Sequence, residues 1–278
     1  MTFRTRFAPS PTGPLHLGHA YSALLAHDLA RANKGTFYLR FDDIDQSRAR
    51  VHWAEQIKND LAWLGVRWDG PIWSQHARAT KYLEALQYLR DLGVVYNCCC
   101  SRKDISAAAN APQEGSAIIG PDGLIYPGTC RDSSHGAGSN TATRLNMRKA
   151  LQLTEITEIK FSESDKIYVL SADKMITNIG DVVIARKGMA ASYHLSIVVD
   201  DAEQEITHVI RGEDLREATF IHILLQKLLK LPTPIYHHHR LVRDENGKRL
   251  AKRDDARSIA KYKDDGMLPN DIRQLVGL

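Results

Sequence analysis

Arg6-Phe7-Ala8-Pro9-Ser10-Pro11-Thr12-Gly13-Pro14-Leu15-His16-Leu17-Gly18-His19 is the stretch on which the fold turns. The residues leading into it, Phe3 to Phe7, form a short strand-like run. Pro9 and Pro11 stop that strand, because proline has no N–H to give to a sheet ladder. Gly13 allows a tight turn. From Leu17 onward, Ala20, Leu24, Leu25 and Leu29 recur at helical spacing, and Gly35 is expected to close the helix from the C′ position. Phe37, Leu39 and Phe41 then alternate as a second strand would. Strand, loop, helix, strand is the opening of a parallel nucleotide-binding sheet, with its ligand expected at the C-terminal end of the first strand.

The turn carries no phosphate-cradling glycine loop, neither G-x-G-x-x-G nor G-x-x-x-x-G-K-[ST]. Instead His16 and His19 stand three apart at the helix mouth, so their imidazoles share a face. That end of a helix attracts anions through its N–H groups and its dipole. Two imidazole donors added there can hold a polyphosphate as charge moves along it. Taken alone, a His-x-x-His pair equally describes a solvated helix face or half a metal site.

The chain has 278 residues, 43% hydrophobic and 25% charged, which is ordinary for a globular protein. That length suits one large domain with a smaller one. A net charge of +4 fits an anionic partner without demanding one. The N-terminus lacks an apolar signal core and no apolar run approaches membrane-spanning length, so a cytoplasmic protein without a membrane partner is expected. Four cysteines, Cys98, Cys99 and Cys100 in a row and Cys130 alone, make a poor disulfide framework and a better metal site.

Along the rest of the chain, Val51, Ala54, Ile57, Leu61 and Leu64 mark an amphipathic helix over 51–64 that Gly65 ends. A second helix is expected over 78–92 with Leu83, Leu86 and Leu89 inward, then a buried strand over 94–97. Residues 106–140 are rich in Ala, Gly, Ser and Pro and read as a loop-rich insertion. Strands are expected over 143–148, 167–170, 181–185 and 206–210, and a helix over 215–231 that Pro232 terminates. The period of 190–199 fits strand and helix alike. His237, His238 and His239 point alternately to opposite faces if they lie on a strand, so they cannot all ligate one ion. They read as pocket wall or interface. Asn246-Gly247 suggests a hairpin leading into the basic run from Lys248 to Arg253.

Four blocks, in order, resemble class I aminoacyl-tRNA synthetases of the glutamyl kind. Pro9 to His19 is similar to the family's "HIGH" signature. Leu39-Arg40-Phe41-Asp42-Asp43-Ile44-Asp45, His208-Val209-Ile210-Arg211-Gly212-Glu213-Asp214 and Arg249-Leu250-Ala251-Lys252-Arg253 resemble its later blocks, the last being the "KMSKS" loop. The resemblance implies an α/β, Rossmann-like parallel-sheet catalytic domain with a zinc-bearing insertion and a small C-terminal helical segment. Its expected parts are residues 1–97 and 151–235 as two catalytic halves, 98–150 as an inserted zinc-binding, acceptor-like subdomain, and 236–278 as signature loop and helical end. It also implies that His16, Gly18, His19 and Lys252 bind ATP, with His16, His19 and Lys252 catalytic. Ala251 stands where the family usually has serine.

Glutamate carries two carboxylates and one ammonium, so its pocket wants two fixed cations and an anion. By resemblance Arg6 and Arg211 meet carboxylates, Tyr193 hydrogen-bonds, and Asp42 receives the ammonium where the family usually has glutamate. Phe7, Ala8, Pro9 and Ser10 complete the wall. The family's zinc pattern falls on Cys98, Cys100, Tyr126 and Cys130, leaving Cys99 outside the ligand set and His135 as a rival to Tyr126. Mg²⁺ enters with ATP.

The chain stops soon after Gly266-Met267-Leu268-Pro269, and on that ground it resembles the truncated branch of the family, which has no anticodon domain. That branch implies a monomer that moves activated L-glutamate onto queuosine in the anticodon loop of tRNA(Asp). Three other readings stand beside it: an ordinary glutamyl-tRNA synthetase without its anticodon domain, a nucleotidyltransferase of the same superfamily, and a non-catalytic zinc-bearing tRNA-binding module. His16, His19 and Lys252 together count against the last.

Overall fold

The computed structural model of the chain describes residues 2–109, 119–133, 141–163, 165–186, 188–243 and 257–278. The chain opens with β1 (Arg4–Phe7), α1 (Leu17–Ala32), β2 (Thr36–Phe41), α2 (Val51–Trp63) and β3 (Trp73–Ser74). Next come α3 (Ala79–Asp91), β4 (Val95–Cys98), α4 (Arg102–Ala109), β5 (Ile119–Gly120), β6 (Gly123–Leu124), β7 (Ala142–Leu145) and α5 (Met147–Leu153). They are followed by β8 (Glu158–Glu163), β9 (Lys166–Ser171), α6 (Ala172–Lys174), β10 (Val183–Ala185) and α7 (Tyr193–Glu203). The last elements are β11 (His208–Gly212), α8 (Ala218–Leu228), β12 (Ile235–His239), α9 (Ile259–Asp264) and α10 (Pro269–Val276). No helix among the described residues is long and apolar enough to cross a membrane.

Two compact units divide these elements, one made of residues 1–77, 205–214 and 234–278, the other of 78–204 and 215–233. In the first unit β1, β2 and β3 pair in parallel, and so do β11 and β12. The Thr207 N–H, one residue before β11, bonds the Arg4 carbonyl of β1 at 3.0 Å, so the two parallel sheets meet at that edge. The α/β parallel architecture expected from residues 6 to 41 is therefore present. Its core gathers Phe7, Leu15, Leu24, Phe37, Leu39, Ile57, Leu61, Ile210, Ile259 and Ile272.

The role expected of Gly35 differs. The left-handed residue after α1 is Lys34, with φ 50°, not Gly35. Glycine is needed at 35 because a Cβ there would sit 2.2 Å from the Phe3 carbonyl oxygen, so the constraint is close approach to β1 rather than backbone handedness. Val51, expected inward, is 80% exposed, because it stands at the first position of α2, ahead of the buried stripe of Ile57, Leu61 and Leu64.

In the second unit β7 lies between β4 and β10 in an antiparallel sheet, and β8 and β9 form a hairpin. Two expectations fail here for local reasons. On α3 the buried residues are Tyr82, Leu86 and Leu89, spaced four and three apart, while Leu83 faces outward. Tyr82 wins the inward place because its hydroxyl reaches the buried Asp200 carboxylate at 2.9 Å. The strand expected over 143–148 stops at Leu145, since the Asn146 side chain accepts the Lys149 N–H at 3.1 Å and starts α5. The ambiguous run around 190–199 is largely helix, α7. The helix expected over 215–231 ends at Leu228, and Lys230 adopts φ 56°, so the chain has turned before Pro232.

Candidate functional site

His16 is the N-cap of α1, with extended backbone at φ −120° and ψ 175°. Its Nδ1 accepts the Gly18 N–H at 3.1 Å, and the His16 N–H is in turn accepted by Nδ1 of His19 at 3.2 Å. The two rings lie 3.8 Å apart between centroids. A ring nitrogen that accepts an N–H carries no proton, so each imidazole, when neutral, keeps its hydrogen on Nε2. Main-chain donors thus set both tautomers and turn both Nε2–H groups away from the helix end. The same packing crowds position 18: a Cβ there would lie 3.0 Å from Cε1 and 3.2 Å from Nδ1 of His16, so the ring would have to give.

The signature-loop lysine, Lys252, lies outside the described residues, as do Ala251 and the expected hairpin at Asn246-Gly247. The chain resumes at Arg257, and Ser258 pairs with His16 in an antiparallel bridge. The Ile259 N–H donates to the Leu15 carbonyl at 2.8 Å. The segment that follows Lys252 in sequence is therefore bonded to Leu15, the neighbour of the residue that caps α1.

Arg6, Asp42 and Arg211 stand toward the C-terminal ends of β1, β2 and β11, all in the first unit, where such sheets bind their ligands. Both arginines are buried. The Asp42 N–H donates to the Pro9 carbonyl at 3.1 Å, which lays the chain of Ala8, Pro9 and Ser10 beside the tip of β2. Asp42 carries an ion pair with the fully buried Arg40, whose Nε lies 3.3 Å from Oδ1. The carboxylate expected to receive an ammonium is thus already neutralised in part from beneath. Tyr193 belongs to the other unit. It opens α7 with its ring against those of His194 and His222, whose facing nitrogens are 3.2 Å apart.

The three histidines of 237–239 lie on β12, opposite Ile210, Arg211 and Gly212 of β11. His238 accepts the Nε–H of Arg211 at 3.3 Å. His239, next in sequence, reaches the helix side: its Nε2 accepts the Ser22 hydroxyl at 2.6 Å and its Nδ1 donates to the Arg240 carbonyl at 2.8 Å. Burial holds His239 below its ordinary pKa and so favours the neutral form these bonds need. The sequence reads these histidines as pocket wall or interface, without naming the residue they serve. Aligning Tyr236-His237-His238 with Val209-Ile210-Arg211 as parallel neighbours is the signal that exposes it.

In the second unit Cys98, Cys100 and Cys130 bring their sulfurs within 4.8 Å of one another. Tyr126 Oη lies 3.3 Å from Cys98 Sγ and 3.5 Å from Cys100 Sγ, and it accepts the Cys130 N–H at 2.8 Å. Cys100 and Cys130 sulfurs are 3.5 Å apart. Thiolates bound at about 2.3 Å to a tetrahedral zinc would sit roughly 3.8 Å from each other, so the spacing fits a four-ligand site. Burial pushes the Cys100 thiol up to about 11. Burial also works upward on Cys130, but hydrogen bonds led by the Tyr126 hydroxyl outweigh it and hold that thiol down at about 6. Arg144 lays its guanidinium 3.9 Å from the centre of the Tyr126 ring, which fixes the phenol in place. Cys99 is exposed, with Sγ 3.8 Å from that of Cys130. His135, the rival to Tyr126, lies outside the described residues.

A parallel sheet with a histidine pair at its first helix mouth and arginines at its strand tips defines a class. The chain belongs to the family described as tRNA synthetases class I (E and Q), catalytic domain, whose pattern matches residues 2–278. Among individual proteins it is 54% identical over 278 residues to the glutamyl-Q tRNA(Asp) synthetase of Rhodobacter capsulatus, covering 99% of each chain. It is 38% identical over 271 residues to the protein of the same name from Nocardia farcinica, covering 98% of this chain and 82% of that one. Among solved structures it resembles a glutamate tRNA ligase from Elizabethkingia meningosepticum in complex with its amino acid, with TM-score 0.80 and 25% identity. That match covers 100% of this chain and 61% of the ligase, so the chain spans about three-fifths of the ligase's length.

Proposed function

We propose that this chain activates L-glutamate with ATP and transfers it to the queuosine base in the anticodon loop of tRNA(Asp). The observation that carries the reading is the match with the Rhodobacter capsulatus protein, which runs the length of both chains at 54% identity. In the first step a glutamate α-carboxylate oxygen attacks the α-phosphorus of ATP in line. The bond to pyrophosphate breaks and glutamyl-adenylate forms. In the second step a hydroxyl of the queuosine ring attacks the acyl carbon and AMP leaves. No protein nucleophile is required, so catalysis consists of positioning and charge stabilisation.

In this reading Arg6 and Arg211 grip the carboxylates of glutamate, Tyr193 hydrogen-bonds to it and Asp42 faces its ammonium. Phe7, Ala8, Pro9 and Ser10 wall the pocket. The Nε2–H groups of His16 and His19 meet the phosphates, and Lys252 neutralises charge at the α-phosphate. Gly18 keeps the His16 ring in place, and Mg²⁺ arrives with ATP. Cys98, Cys100, Tyr126 and Cys130 hold one structural zinc, supported by their spacing. An anionic RNA suits the mild positive charge, and its binding should weaken with salt.

The test uses labelled glutamate with tRNA(Asp) prepared with and without queuosine. Each sample has its 3′ end either intact or oxidised by periodate, under conditions checked to spare the queuosine diol. Labelling should require queuosine and survive loss of the 3′ diol. Label that appears on queuosine-free tRNA(Glu) and vanishes on 3′ oxidation would mark an ordinary charging enzyme instead.

A further inference from the structure

β11 and β12 run parallel with Arg211 opposite His238 and Val209 opposite Tyr236. Side chains paired across neighbouring strands share a face, and residues two apart on one strand do too. Arg211, His238 and Tyr236 therefore form one patch, and all three are buried. The Tyr236 and His238 rings are parallel within 2°, with centroids 6.1 Å apart. The Arg211 guanidinium carbon lies 5.2 Å from the centre of the Tyr236 ring, and its Nε–H points to Nε2 of His238 at 3.3 Å.

An arginine Nε–H can only donate, so the His238 nitrogen facing it must accept. That makes His238 neutral, with its proton on Nδ1. The bond also decides how the guanidinium is used. A planar fork can grip a carboxylate along its Nε side or across its two terminal nitrogens. With Nε committed to His238, a carboxylate is not gripped along the Nε side.

We infer that His238 is a positioning residue for Arg211: it sets the rotation of the guanidinium and takes its Nε edge out of carboxylate binding. Tyr236 supplies the flat wall that keeps the group in that plane. The inference rests on reading Arg211 as a glutamate ligand.

The experiment measures glutamate-dependent ATP–pyrophosphate exchange by the full chain with two substitutions. His238→Leu removes the acceptor and keeps the bulk. His238→Gln places an amide oxygen close to where Nε2 stood. Losing one hydrogen bond to a charged group should raise the glutamate KM of His238→Leu about tenfold. Its kcat and its KM for ATP should stay within about twofold, as expected when a ground-state contact is loosened. His238→Gln should recover most of the glutamate KM. An unchanged glutamate KM, an equal rise in the KM for ATP, or a glutamine variant no better than leucine would overturn the role.

A second measurement reads the bond without activity. The long-range ¹⁵N imidazole spectrum of the wild-type protein, assigned with the glutamine variant, should show His238 protonated on Nδ1. A proton on Nε2 removes the bond and the inference with it. Wild-type protein that exchanges no glutamate would sink the proposed function, while this spectrum would still decide whether His238 holds Arg211.

Discussion

The helix mouth and the cysteine cluster both gather titratable groups at the end of an element, and they are held in opposite ways. At the mouth of α1 the main chain does the holding. Two backbone N–H groups fix Nδ1 of His16 and of His19, so the rings are aimed before any substrate arrives. At the end of β4, Cys98 and Cys100 meet Tyr126 and Cys130 from a separate loop, and much of what holds the four together is their contact with one another. Preorganisation by backbone survives the absence of a ligand. Preorganisation by mutual contact invites a cation to complete it, because thiolates brought this close repel unless something neutralises them.

The largest effect is expected from the lysine proposed to work with the first region. Lys252→Ala should lower ATP–pyrophosphate exchange about a hundredfold or more, the scale of losing one preorganised charge-stabilising donor. A rate within a few fold of wild type would remove Lys252 from the chemistry. The next tests the second region. Metal analysis should find roughly one zinc per chain, lost in Cys100→Ser and kept in Cys99→Ser. The reverse pattern would move the site by one residue, and full zinc retention in Tyr126→Phe would shift the fourth ligand to His135.

Gly18→Ala probes the contrast directly, because the added methyl meets His16 at 3.0 Å. Exchange should fall about tenfold, as for a ring displaced by a fraction of an ångström, while zinc content is untouched. Loss of zinc in that variant would show that the two regions are not independent. The smallest expected effect concerns Asp60 of α2, buried with Oδ2 lacking a hydrogen-bond partner. Burial raises its carboxyl to about 6, against a partial opposing pull from Lys263. A carboxyl raised on folding stabilises the protein when protonated, so that contribution is lost as pH rises from about 4 through 6. Asp60→Asn should therefore stabilise the protein at pH 7.5 by about 1–3 kcal/mol, a gain that shrinks toward pH 4. Thermal unfolding at the two pH values checks this, and equal shifts at both would show that Asp60 is not the titrating group.

The opening strand, helix and strand were legible because prolines, a glycine and two hydrophobic periods all agreed. Misreadings came where a polar bond outbid a period. Leu83 lost its place to Tyr82 because a phenol reaching Asp200 settles which face of α3 turns inward. The strand over 158–163 went unseen although Ile159, Phe161 and Glu163 alternate inward, since a buried glutamate spoils the apolar pattern. At the candidate site the residue types were readable, but their settings were not. Nothing local to Arg211 reveals His238, because residues 27 apart become neighbours through parallel pairing alone. Asp42 differs: its partner Arg40 is only two residues away, and what the sequence hides is that Arg40 is fully buried.

The double duty of His16 and His19 bears on how such chains decay. Each ring helps to start α1 and, in the proposed function, also presents a hydrogen to the phosphates, so replacing either removes a helix cap along with that proposed contact. Asparagine can cap without reaching a phosphate, whereas alanine does neither. A lineage released from selection for activity would still be penalised for discarding these histidines. Among distant, degenerate relatives the histidine pair is then a record of ancestry rather than proof of an enzyme still at work.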